Sequence, residues 1–170
     1  WWRLLLAPAL GGLVVGLMVY RLMPQRRPQA VSEVIEASAM SGGRMSLPLG
    51  LKAAVISATS LGVGASAGRE GPVVHLGAAI GSFLARYLHL GRALRRTLLG
   101  CGVAAAVAAS FNAPIAGVFF ALEVVVGHYA LSAFAPIVIA SVTGTVISRM
   151  YYGDFPAFVL PETYEIRSFL

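Results

Sequence analysis

Cysteine and charge are both scarce in this sequence. Cys101 stands alone, so an internal disulfide framework is excluded, and no paired Cys/His spacing offers a zinc site. Charged residues make up only 12% of the chain, about half the ~25% of an ordinary soluble domain. No nucleophile–base pair, phosphate-binding glycine loop or metal-ligating cluster is visible. The sequence therefore gives no sign of an enzyme and calls for no cofactor. The first apolar stretch has no small-residue cleavage site, so it does not read as a secretory leader.

What the chain does contain is apolar surface: 58% of its 170 residues are hydrophobic. Thirteen basic residues against seven acidic ones give a net charge of +6. In a soluble protein that excess would suggest nucleic acid. Here the charges fall in short gaps between apolar runs, which reads as loops at lipid headgroups and excludes a nucleic-acid partner. The expectation is an all-α, multi-pass integral membrane protein. Its N-terminus, Trp1-Trp2 without an initiator Met, suggests that the front of a larger protein is missing.

A helix needs about 20 apolar residues to cross ~30 Å of hydrocarbon. Residues 4–20, 53–68, 71–85, 97–122 and 124–148 approach or meet that length. The third run is too short to span unaided. The fourth is long but should break at Asn112 and Pro114, with Asn112 capping the helix that follows. Broken apolar segments at membrane depth are tolerated where protein or a water-filled cavity satisfies the backbone, so such breaks line substrate paths. Residues 31–40 read as a short amphipathic helix capped by Ser32 and ended by Gly42-Gly43-Arg44, and Pro48 opens the next element. Glycines four apart (Gly12 and Gly16, Gly64 and Gly68, Gly77 and Gly81) predict close helix packing.

The sharpest motif is Gly68-Arg69-Glu70-Gly71-Pro72. Pro fits the first turn of a helix because its missing N–H has no partner there. Glu70 should therefore stand at a helix N-terminus, where free N–H groups and a partial positive charge attract anions. A carboxylate in that place occupies the site, swings away from it, or takes up a proton. Taken alone, these residues are equally compatible with a loop salt bridge between Arg69 and Glu70. The second motif runs from Gly100 to Glu123 and pairs a small-residue helix with a break at Phe111-Asn112-Ala113-Pro114. For Glu123 itself, a carboxylate at the membrane edge is a strong alternative to any role in transport.

The segments Gly-Arg-Glu-Gly-Pro-Val-Val-His-Leu-Gly (68–77) and Ser-Phe-Asn-Ala-Pro-Ile-Ala-Gly-Val-Phe-Phe-Ala-Leu-Glu (110–123) resemble the two signature segments of the CLC family of chloride channels and proton-coupled chloride antiporters. They come in the family's order and at about its spacing, and the likeness covers essentially the whole chain. It implies that residues 1–170 are most of the first of two inverted transmembrane halves, the second being absent. It also implies chloride or a similar monovalent anion as substrate, a homodimer in the bilayer, and the cell membrane as location. By position, Glu70 matches the gating glutamate. Arg69, Gly71, Pro72, Val73 and Val74 match its motif and the anion-coordinating backbone that follows. Gln29 stands where the family has a serine that touches the anion, and its amide still offers a donor. The antiporters carry a second glutamate directly after the position of Glu123. Here that residue is Val124, which cannot relay a proton. This favours a channel, with Glu123 as the remaining candidate for a proton path. A carrier of another small anion with discontinuous helices is the alternative.

Overall fold

The computed structural model describes residues 2–24, 26, 30–127 and 131–154, the side chains of 2–5 and 7 excepted. Among these residues there is no strand. The helices are α1 (Trp2–Leu22), α2 (Val31–Ala39), α3 (Leu47–Gly62), α4 (Glu70–Tyr87), α5 (Arg92–Phe111), α6 (Pro114–Phe120) and α7 (Leu131–Tyr152). A π-helical turn, Ala121–Val126, continues α6. At about 1.5 Å per residue, α5 with 20 residues and α7 with 22 reach roughly 30 Å. These two are long and apolar enough to cross a bilayer.

The centre is an antiparallel pair, α4 on α5, and glycine sets how closely the two approach. A Cβ at Gly77 would strike the Gly102 carbonyl oxygen, and one at Gly102 would strike that of Gly77; Gly81 lies the same way against Leu98. Around this seam Val74, Ala78, Leu99, Val103, Leu122 and Ile137 are buried in one cluster. Helix α7 lies along α5, with Gly144 against Ala105 and the Ser148 hydroxyl donating to the Ala109 carbonyl at 3.0 Å. Helix α3 runs back along α4, and α1 packs on α3 through Met23, Ala53 and Ile56.

Several sequence expectations shift. Only the Gly77 and Gly81 pair packs a helix against a neighbour. Gly12 and Gly16 meet nothing within 4 Å, and Gly64 (φ +87°) lies in the turn after α3. That left-handed glycine ends α3 at Gly62, well before the apolar run stops. Helix α3 starts earlier than the run, at Leu47-Pro48, because one exposed lysine, Lys52, interrupts the hydropathy but not the helix. Ser32 does not cap α2. Ala30 is the cap residue, and Glu33 reaches back to accept its N–H at 2.7 Å, half of a capping box. Asn112 ends α5 rather than opening α6. Its backbone is left-handed (φ 54°, ψ 36°), a conformation Asn tolerates, and its N–H donates to the Ala108 carbonyl. Ala113 is the residue before α6, and Pro114 stands in its first turn as the sequence suggests.

The antiparallel course gives the molecule two distinct ends. The starts of α4 and α6 and the ends of α5 and α7 share one. The loop 40–46, the end of α4 and the start of α5 share the other.

Candidate functional site

Helix α4 begins at Glu70 because the chain leaves Gly68 free to turn and Pro72 supplies a helical φ without needing a partner for an N–H. Arg69 precedes it with near-helical angles (φ −81°, ψ −13°) and no side-chain cap. Pro72 has no N–H, and the Val73 N–H closes the first turn on the Arg69 carbonyl at 3.2 Å. The amides of Glu70 and Gly71 are therefore the donors this helix start leaves unused among the described residues. Of the backbone named for anion coordination, Gly71 keeps an unused amide, Pro72 has none to offer, and that of Val73 is bonded within the turn.

The Glu70 carboxylate folds back over Gly68. A Cβ on Gly68 would collide with Oε2 of Glu70, so only glycine allows this position. Glu70, Gly71 and Pro72 face a cavity of about 470 Å³ walled by α1 and α3. Val19, Met23 and Ile56 give it apolar sides, while Ser57 and Ser60 contribute hydroxyls from α3. The start of α2 closes in as well: the Cα of Ala30 lies 3.9 Å from where a Cβ on Gly71 would stand. Two helix starts and one carboxylate therefore converge on a single cavity, with partial positive charge from the helix ends. Ser57 and Ser60 escaped the sequence reading. Hydroxyls three apart in an apolar helix are the signal that would have found them.

Arg69 turns away from this cavity. Its guanidinium donates to the Ser110 carbonyl at 3.0 Å, in the last turn of α5. That is a favourable place for a cation, at a helix C-terminus. The salt bridge between Arg69 and Glu70 that the motif equally allowed does not form; the ion pair among the described residues is Arg149 with Asp154 at 3.2 Å. Arg69 and Val73 instead border a second cavity, of about 650 Å³, with Ser110, Asn112 and Arg149. Asn112 links that rim: its side chain donates to Asp154 at 3.0 Å and accepts from Arg149 at 2.6 Å. Val74 is buried in the core. Glu123 lies exposed in the π-helical turn beyond α6, and Gln29 falls outside the described residues. Of the sequence-derived set, the structure therefore groups Glu70, Gly71 and Pro72, and separates Arg69, Val73, Val74 and Glu123 from them. His75, one turn deeper in α4, is 1% exposed, and its Nδ1 has no partner among the described residues.

A family profile described as voltage gated chloride channel matches residues 11–170. A ClcB-like protein of Ralstonia nicotianae is 34% identical over 95% of this chain and 39% of its own length. A voltage-gated ClC-type chloride channel, ClcB, of Yersinia pseudotuberculosis is 31% identical over 99% of this chain and 42% of its own. The protein of that name in Escherichia coli is 34% identical over 88% of this chain and 36% of its own. The chain thus spans about two fifths of the length of the curated relatives it matches. No solved structure gives a significant match.

Proposed function

The chain belongs to the voltage-gated chloride channel family, and on that premise we propose that the protein passes chloride across a membrane, with Glu70 as the gate. One observation carries this reading: the Glu70 carboxylate stands at the start of a packed helix, beside unused amides and a cavity, while the cation next to it in sequence is held elsewhere. Glu70 is exposed among the described residues; were the rest of the pore to enclose it at membrane depth, its charge would cost several kcal/mol there, and a carboxylate in such a place is expected to work. Deprotonated, it fills the anion's place. Protonated or swung aside, it leaves that place to chloride. Chloride is the substrate, and no cofactor takes part.

This chain supplies one wall of the path, as the first of two inverted halves. Gln29, by its position in the sequence, offers an amide donor, and Ser57 and Ser60 add hydroxyls. The exposed apolar side chains Ile115 and Phe119 of α6, with Ile139 and Val142 of α7, suit contact with the remaining half or with a second copy in a homodimer. The setting is the cell membrane.

Val124 favours a channel over a tightly coupled proton antiporter, since the residue after Glu123 has no titratable group. The test is the reversal potential of the reconstituted full-length protein under opposed chloride and proton gradients. The channel reading expects a potential set by chloride alone. A potential that moves with the proton gradient overturns the channel, and a membrane without chloride current overturns chloride transport.

A further inference from the structure

The end of the molecule opposite Glu70 carries a concentration of charge that anion passage does not use. Arg44 comes from the loop after α2, Arg86 from the last turn of α4, and Arg92, Arg95 and Arg96 from the start of α5. None of these five forms an ion pair among the described residues. Their internal bonds are few: Arg92 donates to the Met40 carbonyl at 3.4 Å and Arg95 to the Leu90 carbonyl at 3.2 Å. The Nε atoms of Arg95 and Arg96 are buried with no partner among the described residues. Like charges this close repel, more strongly where water is excluded, and the positive end of α5 adds to them.

The arginines surround open space on a rigid frame. One cavity, of about 630 Å³, is bordered by Arg44, Arg92 and Arg95, and an adjoining one, of about 430 Å³, by Arg44, Arg86, His89 and Arg95. The loop that carries Arg44 is fixed to α4 by the buried Ser82, whose hydroxyl accepts the Met45 N–H at 2.8 Å and donates to the Gly43 carbonyl at 2.7 Å. Gly42 and Gly43 let that loop lie flat on α5. Both have positive φ (+59° and +78°), and a Cβ on Gly42 would come within 2.6 Å of Arg92 Nε. The backbone that carries Arg44 is therefore set beside α4 and α5 before any ligand arrives.

Guanidinium groups match phosphate oxygens two by two. What lies beside them selects the source of the phosphate. Met40, Tyr87, Leu88 and Leu94 are each more than half exposed around the arginines. A free phosphate has no use for that apolar collar, whereas a phospholipid places its chains there, with Tyr87 at the headgroup level. Excess arginine also marks the cytoplasmic face, where anionic lipids collect, and basic pockets between membrane helices bind their headgroups. We propose that Arg44, Arg86, Arg92 and Arg95 form a headgroup site for an anionic phospholipid, with the acyl chains along Met40, Leu88 and Leu94.

The test uses the full-length protein in mild detergent. Native mass spectrometry counts bound lipid, and melting temperature is followed against added phosphatidylglycerol, phosphatidylcholine or inorganic phosphate. Arg44→Gln and Arg92→Gln change exposed side chains that hold no part of the core, and Arg21→Gln, exposed at the end of α1, is the charge-matched control. The wild type and Arg21→Gln should bind phosphatidylglycerol in preference to phosphatidylcholine. Each site variant should bind it about tenfold more weakly, the equivalent of one charge-assisted hydrogen-bonded contact. Equal binding by wild type and site variants, or no preference for the anionic lipid, overturns the site. Stabilisation by inorganic phosphate as strong as by phosphatidylglycerol overturns the lipid and makes it a free-anion site.

Discussion

Gly68 has no Cβ, and the space this leaves is taken by Oε2 of Glu70. Gly68 is exposed in a loop, so Gly68→Ala should leave the fold intact while denying the carboxylate this position. With that resting place denied, chloride flux at neutral pH should rise above the wild type. Flux measured from vesicles checks this, and an unchanged flux would mean that the carboxylate does not depend on the Gly68 side. Glu70 itself was legible from sequence because Gly71 and Pro72 mark a helix start by local sterics. The partner of Arg69 was not, since Ser110 is 41 residues away and no local pattern encodes such a contact. Asn112 was misread for a related reason. Asn suits a helix start and a left-handed helix end equally well, and only the path of α5 decides between them.

Among the helices, the α4–α5 crossing has the least room for change. Gly77→Ala would press a methyl group into the backbone of Gly102, an overpacking that costs about 1–3 kcal/mol. Gly12→Ala meets open space and should be close to neutral. Thermal denaturation in detergent separates the two: a clear loss of melting temperature for the first and almost none for the second. Equal behaviour would show that this crossing is not glycine-limited. The spacing of glycines exposed three possible seams in the sequence and could not choose among them. A stripe of small residues defines a face, but whether a neighbour arrives at it depends on the whole arrangement. Helix ends were harder still. The apolar run at 53–68 overshoots α3 because hydropathy ignores the left-handed turn at Gly64.

Across the whole molecule, the chain builds a polarised object. One end gathers helix starts, Glu70 and the cavity between α1 and α3; the other gathers arginines that form no ion pair among the described residues. The all-helical fold and the family were legible from sequence, because long apolar runs and two motifs in fixed order carry that information. The separation of Arg69 and Val73 from Glu70 was not, because it depends on which side of α4 each neighbour packs. The most direct measurement is chloride flux through the reconstituted full-length protein with Glu70→Gln, followed from neutral to acid pH beside the wild type. With the negative charge gone, flux should be high at neutral pH and nearly flat, while the wild type should rise as the pH falls. A variant that keeps the wild-type flux and its pH response would contradict the assignment of Glu70 as the gate.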